Sequence, residues 1–145
     1  MRIILCTLLC VFVSTSFSSC TSSSGEPGTN APFETTRWVL RSINDKKVLV
    51  PEGSTEPFII FEKKDSRASG NAGCNGFFGT YSKSRKSLSF GPVARTEMYC
   101  EAMMEVENNL MKAFEAVSRY NIKGNTLSWY EGDKLLAKFE AVKMR

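Results

Sequence analysis

The chain has 145 residues, 42% of them hydrophobic, and this length leaves room for one hydrophobic core, which argues against a multidomain enzyme. There is no histidine, so a catalytic triad or zinc site that needs imidazole is excluded. A net charge of +4, from 19 basic and 15 acidic residues, is too small and too mixed to indicate a nucleic-acid-binding protein.

The first segment of the chain is typical of a secretory signal peptide. Basic Arg2 precedes an apolar run over residues 3–13, and small polar residues follow that run. The run has 11 residues, whereas a helix needs about 20 residues to cross the core of a bilayer. We therefore predict a signal peptide over residues 1–19 and no lasting membrane span there.

The residues Ser18, Ser19 and Cys20 resemble the bacterial lipobox, in which a lipidated cysteine becomes the first residue of the mature protein. Phe17 stands where that motif usually has Leu, Val or Ile. The alternative is ordinary cleavage near Ser19 that leaves Cys20 as a free thiol. We expect lipidation of Cys20 and an anchor in the bacterial cell envelope. Because Thr21 is not the aspartate that retains some lipoproteins in the inner membrane, we expect the outer membrane, facing the periplasm.

The next segment, residues 20–35, is predicted to be the lipidated Cys20 and a flexible linker. It is rich in Ser, Gly and Pro and has few apolar residues that could join a core. As a coil its 14 residues from 21 to 34 would span about 21 Å. The linker would therefore hold the folded part close to a membrane surface.

The cysteine count predicts one disulfide. Cys6 and Cys10 would leave with the signal peptide, and Cys20 would carry the lipid, so that Cys74 and Cys100 remain. In an oxidising compartment a disulfide between these two is favoured over free thiols. The alternative, a reactive thiol, normally needs a nearby base or cation, and the chain has no histidine.

The folded domain is predicted over residues 36–142 and consists mainly of short strands. The runs with strand character are residues 38–41, 48–50, 58–61, 77–82, 88–90, 120–123, 126–130 and 134–142. Turn residues at Gly124 and Asn125, and again at residues 131–133, predict that the last three strands form an antiparallel meander.

One segment, from about Cys100 to Arg119, is predicted to be helical. Its apolar residues recur at spacings of three and four: Met103, Val106, Leu110, Phe114 and Val117. The acidic residues Glu101, Glu105 and Glu107 are interpreted as a solvated face rather than as catalytic or metal-binding carboxylates. The fold class is therefore α+β, with seven or more short strands in one strongly curved antiparallel sheet closed by one amphipathic helix.

The glycine-rich stretch over residues 70–81 lacks the lysine and the spacing of a phosphate-binding loop. With residues that follow it, it resembles the META domain family, also called HslJ-like. The residues that carry this resemblance are Gly70, the GCN motif of Gly73, Cys74 and Asn75, then Gly79, Tyr81, the T-x-M-x-C segment of Thr96, Met98 and Cys100, and Glu107. Together with Trp38 and Leu40 near the domain start, Leu88 and Phe90, and Leu127 in the terminal hairpin, these residues follow the order of the family over residues 36 to about 142.

The resemblance implies an α+β fold with a strongly curved sheet, an address in the cell envelope and links to stress response, and it implies no known reaction. The shared residues are interpreted as structural, with Asn75 capping a turn, Thr96 capping the coming helix and the glycines permitting a bulge. The alternative is a ligand cleft formed by Asn75, Tyr81 and Thr96.

We expect a non-enzymatic, monomeric envelope lipoprotein with no cofactor or metal and no catalytic residues. Its expected partners are the membrane, through Cys20, and an unidentified envelope protein, and no nucleic acid. One alternative is a carrier whose curved sheet holds a small apolar ligand against its aromatic residues Phe77, Phe78, Trp129 and Tyr130. A second alternative is a hydrolase or protease inhibitor that presents the basic turn at residues 83–86.

Overall fold

The computed structural model describes residues 29–143 of the chain. The predicted signal peptide, the lipidation site Cys20 and most of the predicted linker lie outside the described residues. In the described part the strands are β1 (Arg37–Ile43), β2 (Lys46–Lys47), β3 (Phe58–Glu62), β4 (Arg67–Asn71), β5 (Gly76–Lys83), β6 (Leu88–Arg95), β7 (Arg119–Lys123), β8 (Thr126–Glu131) and β9 (Lys134–Val142). One α-helix, α1 (Met104–Ala116), and a short 3-10 turn at Lys64–Ser66 complete the described elements.

The strands form one curled antiparallel sheet in the order β6-β5-β4-β3-β1-β9-β8-β7. The short strand β2 pairs antiparallel with the last residues of β1. The sheet curls into a half-barrel whose two edges meet at one point, where Ser87 bridges to Arg119. The N–H of Tyr120 also donates to the carbonyl of Lys86 at 2.9 Å. Helix α1 packs against β6, β1 and β9. The predicted fold class, one curved antiparallel sheet closed by one helix, is confirmed.

The core lies inside this half-barrel because apolar side chains alternate along the strands. In β3, Ile59 and Phe61 are buried while Phe58 and Ile60 are half-buried, so one face of the strand lies against the core. The largest fully buried aromatic side chains are Trp38, Trp129, Phe61 and Phe139. The helix contributes the buried side chains of Leu110, Ala113 and Phe114.

Two strands differ from the prediction. Residues 48–50 are not a strand: the chain turns at Asn44 and Asp45, both with positive φ, and the return strand β2 is complete at Lys47. Leu49 is therefore 72% exposed. Strand β4 was not predicted because its sequence, RASGN, has almost no strand-forming side chains, and its pairing with β3 and β5 on both sides creates it.

The folded domain begins earlier than predicted, because the last residues of the expected linker are part of the fold. Phe33 is 6% exposed and belongs to the core. The N–H of Ala31 donates to the carbonyl of Gly124 at 2.9 Å, and the indole N–H of Trp38 donates to the carbonyl of Phe33 at 2.9 Å. The predicted boundary at residue 36 was therefore wrong: the end of the predicted linker, from Asn30, packs on the sheet.

The sheet has two ends with different loops, and strand β5 connects them. Gly76 begins β5 beside Asn71, whereas Lys83 ends β5 beside Leu88. We call the first the disulfide end, formed by residues 71–76, residues 96–100 and the start of α1. We call the second the linker end, formed by residues 29–36, 63–66, 84–87 and 124–125. The eight residues of β5 separate the two ends by about 25 Å.

Candidate functional site

The centre of the disulfide end is the side chain of Asn75, which is 1% exposed. Its Oδ1 accepts hydrogen bonds from the N–H of Met98 and from Oγ1 of Thr96, both at 2.7 Å. Its Nδ2 donates to the carbonyl of Met98 at 2.9 Å and to Oε1 of Glu107 at 2.8 Å. The amide is therefore fully hydrogen-bonded, and it fixes residues 96–98 against the start of β5.

Glu107 is completely buried and accepts three hydrogen bonds in this cluster. Its Oε1 lies 2.7 Å from Nη1 of Arg95 as well as bonding to Asn75, and its Oε2 accepts from the backbone N–H of Asn75 at 2.9 Å. A buried carboxylate is stable only when it is paired in this way. The prediction that Glu107 belongs to a solvated helix face was wrong for this residue, whereas its neighbour Glu105 is 75% exposed.

Cys74 and Cys100 form a disulfide, with their Cα atoms 5.7 Å apart and 26 residues between them in sequence. The predicted pairing is confirmed. The bond joins the turn before β5 to Cys100, whose carbonyl accepts hydrogen bonds from the N–H groups of Met103 and Met104. It therefore ties the sheet to the first turn of α1, independently of the hydrogen bonds made by Asn75.

Two glycines of the motif are required by close approach of the backbone. A Cβ at Gly70 would collide with the carbonyl oxygen of Phe58 on the neighbouring strand. Gly73 has a φ of +111°, and a Cβ there would lie 2.6 Å from Cε of Met103. Gly79 lies beside the register shift between β5 and β6, in agreement with the predicted bulge.

Thr96 does not cap the helix, although its position before α1 suggested that role. Its hydroxyl donates to Asn75, and the residue at the cap of α1 is Met103, whose side chain makes no capping hydrogen bond. Asn75 likewise does not cap a turn through its amide: the turn at residues 71–73 is closed by Oδ1 of Asn71, which accepts from the N–H of Gly73. Asn75 therefore joins three separate segments.

Tyr81 lies apart from Asn75 and Thr96, near the linker end. Its hydroxyl lies 3.3 Å from the carbonyl of Glu62 and 3.4 Å from Oε1 of Glu34. Burial, followed by the nearby charge of Glu34, raises the pKa of Tyr81 from 10.0 to about 12. The three residues of the predicted alternative cleft therefore do not come together around one ligand.

Two large apolar side chains of the disulfide end, Met98 and Tyr99, are open to solvent beside the exposed Glu97. Met98 is 57% exposed and Tyr99 is 80% exposed, although the backbone of Met98 is bonded on both its N–H and its carbonyl. Phe78 on the outer face of β5 is 56% exposed. The sequence placed Met98 in the family motif, but the exposure of Met98 and Tyr99 could not be predicted, because a loop has no periodicity from which to infer it.

Two aromatic residues of the predicted carrier pocket, Phe77 and Trp129, belong to one filled core, in which both pack against Phe114. Phe77 packs against Phe114 with ring centroids 4.9 Å apart, and Trp129 packs against Phe139 at 4.6 Å. Phe78 points to solvent instead. The interior between these rings is occupied by side chains, which argues against the carrier alternative.

The basic turn at residues 83–86 is a closed hairpin at the linker end. Nζ of Lys83 lies 3.2 Å from Oε1 of Glu34 and 5.2 Å from the centre of the Phe33 ring. The hydroxyls of Ser84 and Ser87 are hydrogen-bonded to each other. The turn is thus attached to residues 29–36, and its use as an inhibitory loop stays a prediction.

Two further features concern the described residues alone. Among residues 29–143, no three carboxylate or thiolate side chains converge as metal ligands would. In the same part of the chain, no helix has the length and apolar character needed to cross a bilayer.

Comparison with known proteins gives a family and two related folds. A family model described as META domain matches residues 31–143. An NMR structure of a protein is 24% identical, with a TM-score of 0.60 over 74% of this chain and 91% of that chain. An NMR structure of a protein from Burkholderia xenovorans is 21% identical, with a TM-score of 0.63 over 87% of this chain and 98% of that chain. At these identities the two structures show a shared fold. No curated protein matches this chain.

Proposed function

Since this chain belongs to the META domain family, we propose that it is a lipid-anchored protein of the bacterial cell envelope that acts by binding another protein and catalyses no reaction. In this proposal Cys20 carries the lipid, the anchor lies in the outer membrane, and the folded domain faces the periplasm. The protein supports the envelope under stress through that binding.

The observation that carries the binding role is that the polar side chains of the shared motif bond to one another. Asn75 makes four side-chain hydrogen bonds and Glu107 accepts three, all within the cluster. A catalytic group must be able to reach a substrate, whereas these groups are buried and satisfied. They are suited to holding a loop in one shape.

The observation that supports the envelope location is the disulfide between Cys74 and Cys100. Disulfides persist in secreted and periplasmic proteins and are rare in the cytosol, where thiols are kept reduced. The predicted signal peptide over residues 1–19 leads the chain to the same compartment. Both features agree with a lipidated Cys20.

The location is tested by producing the full chain in a bacterial host and separating soluble, inner-membrane and outer-membrane fractions. We expect the protein in the outer-membrane fraction, carrying radiolabelled palmitate, and we expect Cys20→Ser to lose both the label and the membrane fraction. Cys10→Ser is the matched control, because that residue lies in the apolar run that would be removed. Membrane association that survives Cys20→Ser would contradict the lipid anchor.

A further inference from the structure

Two adjacent large hydrophobic side chains, Met98 and Tyr99, are exposed at the disulfide end. The large hydrophobic residues of residues 29–143 that are exposed are Leu49, Val50, Phe78, Met98, Tyr99 and Val142. Only Val142, which is 36% exposed, lies at the linker end, where it ends β9 beside Arg37. Aromatic and Met side chains are enriched in protein interfaces, so Met98 and Tyr99 are candidates for contact with a partner.

The segment that carries Met98 and Tyr99 is held rigidly from three sides. Asn75 bonds both backbone groups of Met98, the N–H of Thr96 donates to the carbonyl of Gly76 at 3.0 Å, and the disulfide fixes Cys100. A loop that is already ordered loses little conformational entropy on binding. Binding through this loop would therefore avoid most of the entropic cost of ordering a flexible segment.

The charges next to this segment are acidic. Glu97 and Glu101 flank Met98 and Tyr99, and both are exposed. Neither takes part in an ion pair with another of residues 29–143. The nearest basic side chain in the motif, Arg95, is already bonded to Glu107. The exposed surface of the loop is thus apolar at its centre and negative at its border.

We propose that residues 96–101 form the docking loop of this protein, and that its partner is a protein with an apolar pocket bordered by Lys or Arg side chains. Tyr99 enters the pocket, Met98 covers its wall, and Glu97 and Glu101 meet the basic border. This inference rests on the proposed function, in which the protein acts by binding another protein. A lipid at Cys20 would place the linker end near the membrane and turn the docking loop away from it.

The experiment is photo-crosslinking from the full chain in the bacterial host, with a photoreactive amino acid in place of Tyr99. The matched control carries the same group in place of Lys86, which is exposed at the linker end. We expect a crosslink from position 99 and none from position 86, and we expect the crosslinked peptide to lie in an apolar pocket of the partner with Lys or Arg beside it. Capture of a partner that lacks such a pocket would overturn the proposal.

Binding of the purified full chain to the crosslinked partner is then measured by calorimetry in detergent micelles. We expect Tyr99→Ser to bind about thirtyfold more weakly, as for a residue at the centre of an interface. We expect the double variant Glu97→Lys, Glu101→Lys to bind more weakly, and we expect added salt to strengthen its binding while it weakens that of the wild type. Circular dichroism and the intact disulfide serve as the controls for folding of each variant.

Several outcomes would overturn the docking loop. They are equal crosslinking from positions 86 and 99, no crosslink from position 99 in a folded chain, a crosslink only to a second copy of this chain, or an affinity unchanged by Tyr99→Ser. These failures are distinct from failure of the proposed location, since Cys20→Ser can lose the membrane while position 99 still crosslinks to its partner.

Discussion

At the disulfide end the loops are held by a covalent bond and a buried carboxylate, whereas at the linker end they are held by aromatic packing. Phe33 there packs against Phe61, Tyr120 and Tyr81, with ring centroids 4.1, 4.8 and 5.7 Å away. At the disulfide end Asn75 and Glu107 bond mainly to the backbone and to each other.

This difference determines which side chains each end leaves in solvent. Aromatic packing uses the apolar side chains of the linker end, so the exposed residues there include cations such as Arg85 and Lys86. Polar and covalent bonds hold the loop at residues 96–100 without using its apolar side chains, so Met98 and Tyr99 stay exposed. The surface that we propose for protein contact therefore lies at the end that is fixed by polar bonds.

The largest expected effect comes from removing the disulfide. We expect the double variant Cys74→Ala, Cys100→Ala to lose about 3.5 kcal/mol of unfolding free energy, because the bond closes a loop of 26 residues in the unfolded chain. Urea unfolding followed by circular dichroism measures this loss. Hydrogen exchange then separates the two ends: the amide of Met98 should lose protection, while the amide of Ala31 keeps it. Equal loss of amide protection at both ends would contradict the claim that the disulfide holds only the disulfide end.

The next effect comes from Glu107→Ala, which removes the acceptor for Arg95 and for two N–H groups of Asn75. We expect a loss of about 3 kcal/mol, because buried donors are left without partners. Urea unfolding is again the measurement.

The matched control is Glu105→Ala in the same helix, where the carboxylate is 75% exposed and lies 3.3 Å from Nζ of Lys46. A surface ion pair contributes about 0–1 kcal/mol, so this variant should stay close to the wild type. Equal losses for the two variants would show that burial of Glu107 has no special role in stability.

The sequence predicts well the elements whose pattern is local. The terminal meander needs only turn residues at Gly124 and Gly132 and alternating side chains, and β7, β8 and β9 lie within one residue of the predicted runs. The disulfide followed from counting cysteines against the compartment. Helix α1 is shorter than the predicted range because Val117 is already extended, with φ of −62° and ψ of 130°.

The rest depends on partners far away in the sequence. In the sequence, nothing distinguishes Glu107 from the other acidic residues of the predicted helix. Its carboxylate is buried because it bonds to Asn75, which lies 32 residues earlier in the chain. Strand β4 exists because β3 and β5 pair with it, and Phe33 is core because the curled sheet presents Phe61 and Tyr120 to it. Periodicity within a segment contains no information on such contacts.

A smaller effect is expected for the pH dependence at the linker end. The pKa of Tyr81 is about 12 in the folded chain, against an ordinary value of 10.0, so the folded state keeps this proton to a higher pH than the unfolded state. The stabilisation is complete below about pH 10 and is lost as the pH rises to about 12, at a cost on the order of 1 kcal/mol by pH 11. Tyr81→Phe should remove this part of the alkaline loss, and an unchanged profile would contradict it.

The smallest effect on stability is expected for Tyr99→Ser. This variant tests whether Tyr99 stabilises the fold or is only an exposed side chain on a loop that other residues hold. Tyr99 is 80% exposed, so removing its ring should change the unfolding free energy by no more than about 0.5 kcal/mol. A loss comparable to that of Glu107→Ala would mean that Tyr99 supports the fold. A near-zero loss would mean that the ring does not stabilise the loop. The bonds made at Asn75, Cys74 and Cys100 would then hold the loop while the ring stays exposed, which is the arrangement that a docking loop requires.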